Sequence, residues 1–200
     1  TVRSNQSSGF SIAKFTQPSS SSSFSWAHNL SEAPKFVIMK PIGTSGNWQV
    51  YHNSNGAGYM WLNGTNGSTG TGWESVNSSA VTATPTLWAG SSVETIAYMW
   101  SEKSGVSKFG QYTGSGTSGN KVVTGFKPAT VLIRSTAGSG FGMYQEGATD
   151  QQLMANCSGE EGVKGDCALG SNKRDIQANV VFNDDGFTLS SGWTEQNASG

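Results

Sequence analysis

The chain repeats itself, and the repeat constrains the fold more than any other feature. Ile12-Ala13-Lys14-Phe15-Thr16 returns as Phe109-Gly110-Gln111-Tyr112-Thr113. Pro34-Lys35-Phe36-Val37-Ile38-Met39-Lys40 returns as Pro128-Ala129-Thr130-Val131-Leu132-Ile133-Arg134, and Trp48-Gln49-Val50-Tyr51 as Phe141-Gly142-Met143-Tyr144. The pairs Phe15/Tyr112, Pro34/Pro128 and Trp48/Phe141 stand 97, 94 and 93 residues apart, so the register drifts by only a few loop residues. Self-similarity on this scale reads as two copies of one folded unit. The expected organisation is a lead-in over residues 1–8, a first copy over 9–104 and a second over 105–200. A unit present twice points to an architecture built by duplication and away from an enzyme with one central site.

Within each copy the pattern is that of strands. Phe10–Phe15 and Phe24–His28 alternate apolar and polar residues, as half-buried strands do. Phe36-Val-Ile-Met39 is a short unbroken apolar run, which suits a strand covered on both faces. Further strands are expected over Trp48–His52, Tyr59–Asn63, Thr86–Ala89 and Ile96–Trp100. In the second copy they are expected over Lys108–Thr113, Lys121–Thr124, Thr130–Ser135, Phe141–Gln145, Gln152–Asn156, Ala178–Phe182 and Phe187–Ser190. Asn55-Gly56, Asn63-Gly64, Asn66-Gly67 and Asp185-Gly186 are turn dipeptides that supply positive φ. No stretch sustains a 3.6-residue apolar period. Lys164–Asn179 comes nearest, and a loop with one short turn fits it equally well. The fold class is therefore all-β, an antiparallel β-sandwich built from two related tandem copies.

Composition narrows the class of protein. The 200 residues are 34% hydrophobic and 12% charged, with 27 Gly, a net charge of −1 and 7 Trp. Both percentages are below ordinary globular values. Disorder usually accompanies high net charge and few aromatics, and neither holds here. The reading is an ordered, turn-rich protein whose exterior carries hydroxyls and amides, as adhesins, lectins and viral fibres do. The densest basic site, Lys173-Arg174, is followed at once by Asp175. Nucleic-acid partners, which need several aligned cations, are not expected. No apolar run approaches a membrane span. A chain that opens on Thr1, with no Met and no signal-peptide pattern, is expected to be processed or cut from something longer.

Reactive groups are sparse. His28 and His52 each end a strand pattern, far in sequence from Cys or Asp, so neither is assigned a metal or general-base role. No nucleophile-elbow, zinc-protease or phosphate-loop motif occurs, and no catalytic residue is assigned. The 13 carboxylates are scattered and form no matched pair across the copies. Glu160-Glu161 with Asp166 offers oxygen ligands of the kind calcium takes, at a spacing that matches no established loop. Otherwise no cofactor and no metal are expected. Cys157 and Cys167 are spaced for a local disulfide worth roughly 2–3 kcal/mol, or remain two free thiols. Trp48, Trp88 and Trp100 lie in apolar strand patterns that suit a core. Trp61 and Trp73 instead bracket a hydroxyl- and amide-rich loop. Aromatic faces beside such groups bind sugar rings, so Trp61, Asn63, Thr65, Asn66 and Trp73 form the candidate glycan-contact set. The alternative is that both Trp anchor the loop to the core. Asn-x-Ser/Thr sequons such as Asn63-Gly-Thr65 and Asn77-Ser-Ser79 arise by chance in so Asn- and Ser-rich a chain.

The ordered motifs also resemble a family. They are Gly9-Phe-Ser-Ile-Ala-Lys-Phe-Thr16, His28-Asn-Leu-Ser-Glu-Ala-Pro34-Lys-Phe-Val-Ile-Met-Lys40, Asn47-Trp48-Gln-Val-Tyr-His52 and Thr95-Ile-Ala-Tyr-Met-Trp-Ser-Glu102. The series restarts with Gly105-Val-Ser-Lys-Phe-Gly-Gln-Tyr-Thr-Gly114, Thr124-Gly-Phe-Lys-Pro128 and Asn183-Asp-Asp-Gly-Phe187. Together they resemble the repeated β-domain of large tail-fibre-like structural proteins of tailed bacteriophages, marine phages and cyanophages among them, with a jelly-roll or concanavalin/laminin-G-like module. The resemblance covers almost the whole chain and implies a non-enzymatic virion structural protein, a segment of a tail or head fibre or appendage at the virion surface. Its implied partners are other virion proteins, copies of itself in a homo-oligomer such as a trimer, and host-surface polysaccharide. A carbohydrate-binding module of a secreted adhesin or enzyme is the alternative. Two departures stand out. The Cys157/Cys167 stretch has no match in the first copy. The second copy also stops at Gly200, just before a strand like Ile96–Trp100 is due, which would leave an open sheet edge around Val180–Phe182 and Phe187–Ser190. Either the protein continues past Gly200 or a neighbouring chain supplies that strand.

Overall fold

The computed structural model describes residues 1–18, 22–65, 67–87, 92–136, 142–146, 152–154, 180–190 and 197, with the backbone alone at residues 86 and 152–154. The chain divides into two compact units, one of Thr1–Leu62 and Ser68–Gly110, the other of Asn63–Gly67 and Gln111–Gly200. Both are all-β, and every strand pair is antiparallel. The helical pieces among the described residues are single 3-10 turns at Asn53–Asn55 and Pro85–Leu87.

The first unit holds β1 (Val2–Asn5), β2 (Phe10–Thr16), β3 (Phe24–Ala27), β4 (Phe36–Pro41), β5 (Gln49–His52), β6 (Met60–Trp61), β7 (Trp73–Val76), β8 (Ala80–Ala83) and β9 (Glu94–Trp100). One sheet runs β1-β2-β9-β4-β5-β6 and the other β3-β8-β7. Alternation decides which side chains meet. Ala13, Val37, Met39, Ala97 and Met99 come from the large sheet. They form one cluster with Phe24, Trp26, Trp73, Val81 and Ala83 of the small sheet, closed by Leu30 and Leu87 from loops. Each fully buried Val, Leu or Met contributes roughly 1.5–3 kcal/mol. Phe15 adds a stacked contact with Trp26, centroids 4.6 Å apart.

The N-terminal residues are more than a lead-in. β1 pairs with β2 from Val2↔Ala13 to Asn5↔Phe10, and Val2 packs on the core. The expected strand over Thr86–Ala89 is replaced by the turn at Pro85–Leu87, where Leu87 fills the core and Thr84–Leu87 closes on a backbone bond. Trp88 lies outside the described residues.

The second unit holds β10 (Asn120–Val123), β11 (Thr130–Ile133), β12 (Gly142–Gln145), β13 (Gln152–Met154), β14 (Val180–Asn183) and β15 (Gly186–Leu189). Its sheets run β10-β15-β14 and β11-β12-β13. Ile133 and Tyr144 of one meet Val180, Phe187 and Leu189 of the other in a second core. The expected hairpin is present, but the two residues between its strands are Asp184 and Asp185, and Gly186 opens β15 opposite Asn183. Gly186 does not have positive φ. It is glycine for space, because a Cβ there would overlap the Val122 carbonyl oxygen of β10.

The expected strand over Lys108–Thr113 is absent. Phe109 instead stacks on Phe36 of the first unit at 6.0 Å, held by its N–H to Glu102 at 3.2 Å. Tyr112 packs edge-on against Phe187 of the second unit at 6.2 Å. Likeness to β2 in sequence does not alone make a strand; a strand needs a neighbour to pair with. The Cys157 and Cys167 pair, the Glu160, Glu161 and Asp166 group, and Lys164–Asn179 all lie outside the described residues.

Candidate functional site

The sequence-selected glycan set does not form one open aromatic surface. Trp73 is 2% exposed, in the middle of the first core. It meets Trp26 edge-on at 6.5 Å and Tyr51 at 5.7 Å, which leaves it no face for a sugar ring. Trp73 is therefore an anchor, in line with the structural alternative for this residue. Trp61 sits opposite Gln49 in the last strand of the large sheet, half-buried, with Tyr59 at 6.4 Å. Asn63 and Thr65 are exposed and belong to the stretch that groups with the second unit, and Asn66 lies outside the described residues. Arg134 Nη1 donates to the Gly64 carbonyl at 3.2 Å. Burial lowers the Arg134 pKa to about 10, which leaves it charged at neutral pH. The polar stretch is also pinned from its far end. Tyr59 and Thr69 exchange backbone bonds of 3.2 and 3.1 Å, and Gly72 N–H donates to Ala57 O at 2.9 Å.

The first unit carries a second aromatic surface, on the side of the large sheet away from its core. In β9, Thr95, Ala97 and Met99 point inward, so Ile96, Tyr98 and Trp100 point out. Register then sets a row across four strands, with Phe10 opposite Trp100, Trp100 opposite Phe36, and Phe36 opposite His52. Successive ring centroids are 5.1, 5.6 and 6.2 Å apart, and Tyr98 stacks beside Trp100 at 6.4 Å. Ile12, Tyr98 and Ile38 form the next row, and Lys40 reaches over Trp48 at 6.0 Å. Trp100 is thus not a core residue, and Phe10, Ile12, Ile96, Tyr98 and Trp100 are half-buried. An apolar residue at every position of Ile96–Trp100 was the sequence signal that both faces of this strand are covered or used.

Both histidines hold loops. His28 is fully buried, and its Nδ1 accepts the Leu30 N–H at 3.0 Å. The Asn77 carbonyl, 2.9 Å from Nε2, can only accept, so Nε2 carries the proton. This clamp fixes Asn29 at its φ of 54°. His52 Nδ1 accepts the Ser54 N–H at 3.2 Å and caps the turn that follows, and burial depresses its pKa. Among the described residues no three His, Cys, Asp or Glu side chains lie together as a metal site would need, and no helix is long and apolar enough to cross a membrane. The aromatic surfaces offer contact and stacking.

A protein-family model matches the chain across residues 1–200. The chain belongs to the family described as a domain of unknown function, DUF7483. No curated protein and no solved structure matches it.

Proposed function

We propose that this chain is a non-enzymatic structural segment of a virion appendage, a tail or head fibre of a tailed bacteriophage, that contacts host-surface glycans. The observation that carries the reading is the recurrence of one pairing scheme. The orders β4-β5-β6 and β3-β8-β7 of the first unit return as β11-β12-β13 and β10-β15-β14 in the second. That match supports a tandem duplication. The histidine at the end of β5 is not carried along. His52 stands opposite Phe36, whereas Gln145 stands in its place opposite Thr130. A scaffold that recurs, while this titratable side chain does not, suits spacing and display. The phage assignment, the concanavalin/laminin-G likeness and a homotrimeric state rest on the sequence motifs alone.

The test is physical location. Antibodies raised against the chain should label an appendage of the particle that encodes it, and its peptides should appear in digests of purified virions. Particles free of both would overturn the assignment. A carbohydrate-binding module of a secreted adhesin is the second reading, favoured by the Tyr59–Trp61 pair ahead of a polar loop. Glycan-array binding that Trp61→Ala abolishes, by a chain absent from virions, would select it.

A further inference from the structure

The outer face of the large sheet in the first unit joins its aromatic rows to an uneven charge. That unit holds six Lys and Arg against four Glu, a formal +2 within a chain of net charge −1. Three of its carboxylates are already neutralised. Lys14 binds Glu94 at 2.8 Å, Lys108 binds Glu102 at 2.8 Å and Lys103 binds Glu32 at 3.3 Å. The fourth, Glu74, belongs to β7 in the other sheet. Among the described residues Arg3 and Lys40 form no ion pair.

Strand register sets both cations among the outward rings. Arg3, exposed on β1, stands opposite Ile12, and Ile12 stands opposite Tyr98. Lys14, Ile96 and Lys40 make the next row. The order β1-β2-β9-β4 therefore places Tyr98 between Arg3 on one side and Lys40 on the other. At about 4.8 Å between strands, the Arg3 backbone is roughly 10 Å from that of Tyr98. Tyr98 and Trp100 are 26° from parallel with centroids 6.4 Å apart. Both are half-buried, and neither belongs to the core cluster. Phe36, by contrast, is 8% exposed beneath the stacked ring of Phe109. The available rings are thus those on the Arg3 side. They stand on a strand paired along both edges, which holds side chains more firmly than a loop does.

We propose that this face binds a carboxylate-bearing polysaccharide, a chain containing uronic acid units, with sugar rings stacked on Tyr98 and Trp100 and a carboxylate held by Arg3. The inference rests on the glycan-contact reading above and adds to it the site and the charge of the ligand. Aromatic faces suit sugar rings, and the planar fork of Arg matches a carboxylate. Two unpaired cations are too few for a nucleic-acid strand, which needs several in line. A protein partner fits less well, because Lys is depleted at protein interfaces and each cation buried there would need its own carboxylate. A polysaccharide lying on the rings leaves Lys14 and Lys40 in water.

The probes are oligosaccharides of polygalacturonate and of alginate, both uronic acid chains, with dextran as the neutral control. Each is titrated into the full chain and followed by tryptophan fluorescence and calorimetry. Both acidic probes should bind, dextran should not, and added salt should weaken binding, as a charge contact requires. Arg3→Gln should weaken it about tenfold, the worth of a charge-assisted hydrogen bond. Tyr98→Ala should weaken it roughly fivefold, and Tyr98→Phe should bind as the parent does. Arg3 is exposed on an edge strand, so its variant decides the matter if Tyr98→Ala fails to fold. Dextran bound as tightly as the acidic probes, or binding that Arg3→Gln and Tyr98→Ala both leave unchanged, would overturn this site and leave the glycan-contact reading standing. Binding of none of the three, or tighter binding of single-stranded oligothymidylate, would also overturn it. Failure of the reading beneath it shows separately, as virions that antibodies to the chain do not label.

Discussion

Gly186→Ala tests whether close packing, not backbone freedom, selects glycine at the start of β15. The position lies opposite Asn183 on one side and Val123 on the other. An added Cβ would overlap Val122 O and lie 3.0 Å from Val123 Cα and 3.1 Å from Thr124 N, all backbone atoms that no rotamer change can move. Relief requires β10 to draw away from β15. That motion strains the bonds from Thr124 N and Gly125 N to Asp185 O, now 2.9 and 3.1 Å. Overpacking costs about 1–3 kcal/mol, and two weakened bonds cost about 0.5–1.5 kcal/mol each. Alanine returns about 0.4–1 kcal/mol through the unfolded chain. The net loss is roughly 1–6 kcal/mol, confined to the second unit. Urea unfolding read by amide exchange should show early opening of β10, β14 and β15 with the first unit unchanged. Gly110→Ala is the control, since a Cβ there meets nothing within 4 Å. Equal midpoints for the two variants would refute the packing argument, and a stabilised Gly186→Ala would show that chain entropy had decided the residue.

Other substitutions separate anchor from surface. Trp73→Ala should cost about 3–5 kcal/mol, read as a lower urea midpoint of the first unit, because it empties a site enclosed by Trp26 and Tyr51. Trp61→Ala should cost about 1–2 kcal/mol at most, since that ring is half-buried. The depressed pKa of His52 comes from burial, so the unfolded chain takes up its proton first. Stability should be full above the unfolded value of about 6.5 and fall as pH drops below it. His52→Asn keeps a capping acceptor and should flatten that part of a melting-temperature profile.

What was legible in the sequence depended on how local the cause was. β2 and β3 announced themselves because one face of each is buried and apolar residues alternate with polar ones, and β4 did so as an unbroken apolar run. β1 did not, since Val2 is its single apolar residue and Arg3, Ser4 and Asn5 are exposed. The β7–β8 hairpin was missed for a different reason. A register irregularity between Trp73 and Ser75 breaks the alternation at the residue that anchors the strand. Trp73 looked like a partner of Trp61 because the two bracket a polar loop, yet one ring is inside and the other half-open. Lys108–Thr113 erred in the opposite direction, since its match to Ile12–Thr16 suggested a strand where no described strand pairs with it.

The order of strands in the sheets shows the same limit at a larger scale. Repetition in sequence can reveal that strands recur, because that comparison needs only order along the chain. It cannot reveal which strands pair, because pairing joins distant segments. β9 follows β8 in the chain yet pairs with β2 and β4, so its neighbours in the sheet could not be read from its place in the sequence.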